Sequence, residues 1–215
     1  MKRQEIAAFI KSERLIAIVR TKEQEKVPEI IEDLVQGGIR VIEITSNTPG
    51  FLHEIEKARE RYATSKILIG AGTVINKVIA EQAIKSGAQF LVTPNTNSDV
   101  LAVAHQYKIP VAMGAVTPTE ICTAVDSGAD IIKLFPAGNL GVAYFKLVKS
   151  PLDNVCFFAV GGIDLSNIEE WIAAGISGFG LGSALTNDID HEESNGLRKN
   201  AEQFVKIKKE SKWIH

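Results

Sequence analysis

Short runs of apolar and β-branched residues recur along the chain, separated by segments whose apolar positions return at helical spacing. The runs span residues 15–20, 41–45, 67–73, 90–94, 111–116, 131–136, 156–162 and 178–183. Their starts fall roughly 20 to 26 residues apart, the length of a strand, a helix and two short loops. Most are nearly continuous in apolar character rather than alternating, as in parallel strands covered on both faces. Amphipathic helices are expected at 27–36, 76–86, 98–106 and 167–174, with another at 3–12 before the first strand and a last one at 197–211. Gly37, Gly87, Gly128 and Gly175 stand where left-handed helix caps are needed, each just before a strand. This recurrence marks the helix-to-strand turn of a repeated βα unit.

Eight strands alternating with helices predict an α/β fold, a (β/α)8 TIM barrel with an extra N-terminal helix. A doubly wound open sheet is the alternative, but it places a glycine-rich turn after its first strand. Here that strand ends in Val19-Arg20-Thr21-Lys22, without glycine. No linker or low-complexity stretch interrupts the pattern, so residues 1–215 read as a single domain. Eight units in 215 residues leave about 27 each, compact for a fold that typically needs about 250. Little room remains for an inserted lid, so the chemistry should lie on the strand ends themselves.

Composition narrows the function. Lysine and arginine number 24 against 26 acidic residues, spread along the chain rather than in blocks. A nucleic-acid binder would show a basic patch or stripe. Aromatics make up 7% and are scattered, so no base-stacking platform is expected. No apolar run reaches the roughly 20 residues of a membrane span, and the first residues lack the long apolar stretch of a secretory signal. A cytoplasmic enzyme without membrane or nucleic-acid partners is expected. Cys122 and Cys156, both flanked by apolar residues, read as buried reduced thiols. His53, His105, His191 and His215 fall on helices or the tail and read as surface residues. No His, Cys or carboxylate cluster has metal-ligand spacing, so no metal is expected.

Two charges are out of character. Lys133 lies inside Ile131-Ile132-Lys133-Leu134-Phe135 and Glu43 inside Val41-Ile42-Glu43-Ile44. Charges are rarely buried unless paired, because desolvation costs several kcal/mol per ion. They could form a structural ion pair, or the lysine could snorkel to solvent. In the functional reading, burial lowers the lysine pKa and yields a neutral amine that attacks a carbonyl, with the carboxylate moving protons. Gly161-Gly162 and Gly180-Leu181-Gly182-Ser183 end adjacent strands, where barrels of this type commonly bind phosphate through backbone N–H groups. Tight turns would need the same glycines. Gly70-Ala71-Gly72-Thr73 forms a third turn whose Thr73 hydroxyl could meet a substrate carboxylate, and Phe135 could wall the site.

With these motifs assembled, the chain resembles the class I aldolases that cleave 2-keto-3-deoxy-6-phosphogluconate and 4-hydroxy-2-oxoglutarate, including the branch acting on the 6-phosphogalactonate epimer. The resemblance runs from Leu15-Ile16-Ala17-Ile18-Val19-Arg20 to Gly180-Leu181-Gly182-Ser183 and rests on Val41-Ile42-Glu43-Ile44-Thr45, Ile69-Gly70-Ala71-Gly72-Thr73-Val74, Val92-Thr93-Pro94, Lys133-Leu134-Phe135-Pro136 and Gly161-Gly162. It implies that Lys133 forms a Schiff base with the keto carbon, that Glu43 is the general acid/base, and that Thr73 helps hold the pyruvyl carboxylate. It also implies phosphate contacts at Gly161, Gly162, Gly182 and Ser183, substrate contacts at Pro94 and Phe135, no external cofactor, and a homotrimer.

The chain departs from the gluconate-type pattern at several places. Asn47 stands in the segment where those enzymes commonly carry an arginine, which leaves Arg20 as the candidate cation for the substrate carboxylate. Val160 replaces the threonine of Thr-Gly-Gly, removing a hydroxyl that could contact the carbon-4 hydroxyl by which the epimers differ. Both residues resemble the galactonate branch, as does Thr93-Pro94-Asn95. A site without that hydroxyl can accept both epimers. Ala112-Met113-Gly114 replaces the more usual Ile-Pro-Gly. The expected reaction is retro-aldol cleavage of a phosphorylated keto acid to pyruvate and glyceraldehyde 3-phosphate, with 4-hydroxy-2-oxoglutarate as a further substrate. A metal-free phosphosugar isomerase or decarboxylase barrel, a non-catalytic phosphosugar-binding protein and a catalytically dead paralogue remain alternatives.

Overall fold

The computed structural model of the chain describes residues 1–186 and 196–213. Helix α1 (Arg3–Glu13) precedes strand β1 (Leu15–Val19), and α2 (Val27–Gln36) leads to β2 (Val41–Thr45). The alternation continues through α3 (Phe51–Arg61), β3 (Leu68–Gly72), α4 (Lys77–Lys85), β4 (Leu91–Val92), α5 (Ser98–Gln106) and β5 (Val111–Ala115). It closes with α6 (Pro118–Asp126), β6 (Ile131–Leu134), α7 (Ala137–Lys149), β7 (Phe157–Val160), α8 (Ile168–Ala173) and β8 (Gly178–Leu181). A short α9 (Ser183–Thr186) and α10 (Gly196–Glu210) follow. Each strand pairs in parallel with its sequence neighbours, and β8 returns to β1, so the barrel predicted from the pattern is present and closed.

Strand alternation divides the core in two. Outward residues such as Ile42, Ile44, Ile69, Phe157 and Phe179 join the inner faces of the helices in one continuous apolar layer. Inward residues Ile16, Val41, Leu68, Phe90, Ile131 and Phe158 fill the lower half of the barrel. Ile6 and Ile10 of α1 pack on this second cluster, so the extra helix stoppers the base. Arg3 pins it there, donating to both Asp130 carboxylate oxygens and to the Gly128 carbonyl. Large and absent side chains face each other across the lower wall. A Cβ at Gly70 would lie 2.5 Å from the Phe90 ring, and one at Gly178 2.5 Å from Phe158. The aromatic rings occupy the space that the glycines vacate.

Several sequence expectations change. Except at β2, the predicted strands run one or two residues past the ladders, so Arg20, Thr73, Pro94, Phe135, Gly161, Gly162, Gly182 and Ser183 sit just beyond strand ends. Strand β4 shortens to Leu91–Val92 because the Thr93 hydroxyl takes over a ladder acceptor's role, receiving the Gly114 N–H at 2.9 Å. Gly37 has a right-handed φ of −72°, and Gly38, at +91°, makes the left-handed turn after α2. Gly37 is small because Ala201 of α10 packs against it. Cys122 is exposed rather than buried, since Ile121 and Ala124 occupy the inner stripe of α6. Cys156 is half-buried. His105 is also half-buried, lying over Gly128, and among the described residues its buried Nε2 has no hydrogen-bond partner. His191 and His215 lie outside the described residues.

Candidate active site

The upper half of the barrel opens into a cavity of about 340 Å³. Its wall brings together Lys133, Glu43, Arg20, Thr73, Pro94, Phe135, Val160, Gly161, Gly162, Gly182 and Ser183. Strand parity explains the convergence. Glu43 follows Val41 on the inner face of β2, and Lys133 follows Ile131 on that of β6. Each charge therefore stands one layer above the apolar filling. Asn47 does not join them; it is exposed in the turn after β2, outside the cavity wall.

Lys133 is 6% exposed and Glu43 2%, yet they form no ion pair within 4.0 Å. Neither a tight structural pair nor a snorkelling lysine describes them. Burial pushes the Lys133 ammonium below its ordinary range; Glu43 opposes that shift and Arg20 reinforces it. Burial pushes Glu43 upward, against the pull of Lys133 and Arg20. Each group is thus driven toward its neutral form, an amine that can attack and a carboxyl group that can exchange a proton. The Lys133 Nζ lies 5.0 Å from the centre of the Phe135 ring.

The glycines around these groups are fitted closely. Any Cβ at Gly72 would overlap the Glu43 carboxylate, so the β3 end is carved to receive it. The next residue, Thr73, has φ +54°, a conformation that costs a β-branched residue on the order of 1–3 kcal/mol. Its hydroxyl accepts from Arg20 at 3.4 Å, linking the ends of β1 and β3. A Cβ at Gly114 would strike the Pro94 backbone, so β5 lets Pro94 close on the cavity.

Gly161 and Gly162 both have positive φ, and the Gly161 carbonyl accepts from the Gly138 N–H at 2.8 Å. The start of α7 is thereby fastened to the loop after β7, with the Phe135 ring beside Gly161. Among the described residues, the N–H groups of Gly162 and Ser183 donate to no protein acceptor. Free N–H groups in glycine turns at adjacent strand ends suit an anion. Gly180 has a different role, because a Cβ there would lie 2.7 Å from Val160. Ile18, Ile163 and Thr186 also line the cavity without having been singled out. Inward parity from Ile16 identifies Ile18, whereas the other two follow glycine turns that carry no periodic signal.

Met113 finds a use that a proline could not serve: its Sδ accepts the Asn97 N–H at 3.2 Å, at the start of α5. Among the described residues, no group of three or more His, Cys, Asp or Glu side chains could hold a metal ion.

Known proteins resemble this chain in sequence and fold. The profile of the family described as KDPG and KHG aldolase matches residues 6–199. A 2-dehydro-3-deoxy-6-phosphogalactonate aldolase of Escherichia coli K12 is 34% identical over 92% of this chain and 95% of its own. A 2-dehydro-3-deoxy-phosphogluconate aldolase of Treponema pallidum is 35% identical over 74% of this chain and 76% of its own. A solved KDPG aldolase of Legionella pneumophila, with pyruvate captured at low pH as a covalent carbinolamine intermediate, superimposes with a TM-score of 0.83 at 26% identity, covering 92% of this chain and 96% of that one. The chain belongs to the KDPG and KHG aldolase family.

Proposed function

We propose that this barrel is a Schiff-base aldolase cleaving 2-keto-3-deoxy-6-phosphogluconate, its galactonate epimer, or both, to pyruvate and glyceraldehyde 3-phosphate. Cleavage of 4-hydroxy-2-oxoglutarate to pyruvate and glyoxylate uses the same steps. The observation that carries the reading is a buried lysine and a buried carboxylate sharing one cavity without pairing. An isomerase or decarboxylase barrel has no need of that lysine as an imine, and a binding protein or dead paralogue has no need of either group.

The neutral Lys133 amine adds to the keto carbon, the Glu43 carboxyl group gives its proton to the departing hydroxyl, and loss of water leaves a protonated imine and a Glu43 carboxylate. Glu43, directly or through a water, takes the proton from the carbon-4 hydroxyl. The bond between carbons 3 and 4 then breaks, and its electron pair flows into the imine to give an enamine. The aldehyde leaves, Glu43 returns its proton to carbon 3, and water releases pyruvate from Lys133. Arg20 and Thr73 hold the carboxylate, while Pro94 and Phe135 form the walls. Gly161, Gly162, Gly182 and Ser183 hold the phosphate, whose binding energy aligns the reacting bond. Asn47, outside the cavity, has no contact in this scheme.

Val160 presents no hydroxyl to the cavity, which favours activity on the galactonate epimer. A coupled pyruvate-release assay should find it cleaved at a rate comparable to or better than the gluconate epimer; strong exclusion of it would refute this part. The central test is borohydride reduction in the presence of pyruvate, which should leave a three-carbon adduct on Lys133. An unmodified Lys133 under conditions of turnover would overturn the mechanism. Among the described residues, no helix is long and apolar enough to cross a membrane. The family resemblance supports a homotrimeric cytoplasmic enzyme with one catalytic domain.

A further inference from the structure

Among the described residues, Thr73 shares its positive φ with two other non-glycine residues, Arg14 and Lys108. Arg14 caps α1 and Lys108 follows α5, and left-handed residues are common at such helix ends. Thr73 instead follows a strand and is β-branched, so its backbone needs an outside restraint. One residue of the neighbouring strand end supplies it. The Ser46 N–H donates to the Gly72 carbonyl at 2.9 Å, and the Ser46 hydroxyl donates to the Thr73 carbonyl at 2.8 Å. Both carbonyls of the turn therefore terminate on Ser46. The rest of the turn serves the cavity, where Gly72 makes room for Glu43 and the Thr73 hydroxyl meets Arg20. Nearby, the Thr45 and Thr48 hydroxyls reach the Val19 carbonyl at 3.3 and 3.5 Å, fastening the strand end from which Arg20 projects.

We propose that Ser46 is a positioning residue for carboxylate binding: by clamping the Gly72–Thr73 turn it sets the Thr73 hydroxyl beside Arg20. The inference rests on the aldolase reading of the same site. Ser46 does not line the cavity and acts through Thr73.

The test follows borohydride trapping of pyruvate on Lys133 of the full chain as pyruvate is varied. Ser46→Ala should raise the half-saturating pyruvate concentration about fivefold, in keeping with loss of one net hydrogen bond. Labelling at saturating pyruvate should stay complete, which a merely structural defect would not allow. Thr73→Gly suits the left-handed backbone and removes the hydroxyl, so in that background Ser46→Ala should add less than about twofold. Wild-type half-saturation in Ser46→Ala, or an equally large effect in the Thr73→Gly background, overturns the proposal. Absence of trapping in the unmodified chain instead overturns the aldolase reading, and this inference with it.

Discussion

The carboxylate of Glu43 occupies the space that a side chain at position 72 would fill. Gly72→Ala should therefore displace the proposed acid/base while leaving Lys133 in place. Pyruvate release is expected to fall about a hundredfold, at the lower end of what a positioned proton carrier contributes. Borohydride should still trap pyruvate on Lys133. Near-normal turnover in the variant would mean that Glu43 works equally well from another position.

The pH response of Lys133 has two handles of opposite sign. Its ammonium titrates below the ordinary 10.5, with Glu43 raising that value and Arg20 lowering it. Glu43→Gln should move the inflection in the rate of pyruvate adduct formation to lower pH, and Arg20→Met should move it higher. Parallel shifts in the two variants would refute this assignment of the charges. The same depression bears on stability: between the folded value and 10.5 the unfolded chain holds more protons at this site, so stability gains from rising pH. Denaturant titrations across that interval should show the contribution vanish in Lys133→Met.

Val160→Thr restores a hydroxyl to a cavity wall that packs against Gly180. The ratio of kcat/KM for the gluconate epimer over the galactonate epimer should rise about tenfold, the scale of one added polar contact. An unchanged ratio would place epimer discrimination elsewhere in the site.

At the other end of the barrel, Asp130 accepts from Arg3 and from the Val111 N–H at 2.9 Å. Asp130→Ala should cost about 1–3 kcal/mol in chemical denaturation, because a half-buried guanidinium and an amide lose their acceptor. Turnover of the folded variant should be unaffected, since the change lies beneath the apolar filling. A large loss of kcat without loss of stability would contradict this separation.

The barrel was legible because continuous apolar runs recur at the spacing of a βα unit, and its two buried charges because Lys133 and Glu43 interrupt such runs. Parity then carried both to one cavity. The glycines were harder to assign, since one residue type serves several ends. Gly70 and Gly178 yield space to aromatic rings, Gly72 to a carboxylate and Gly37 to a neighbouring helix. Distinguishing them requires knowing which side chain stands opposite, and register supplies that only once the sheet closes. Ser46 left no signal at all, because its hydroxyl binds a backbone carbonyl that no pattern of residue types marks. Asn47, singled out by its place in a motif, points to solvent because the turn after β2 leaves the barrel there.

Helix α1 makes the barrel a blind alley, with Ile6 and Ile10 sealing the end opposite Lys133 and Glu43. Traffic must then use one door in sequence. In the proposed mechanism the three-carbon fragment stays tethered to Lys133 at depth after cleavage, so the aldehyde half departs first and pyruvate last. Run backwards, the synthetic reaction requires pyruvate to be seated before any aldehyde enters, and an aldehyde arriving early blocks the queue. In the direction of synthesis, excess glyceraldehyde 3-phosphate, there a substrate, should accordingly inhibit competitively against pyruvate.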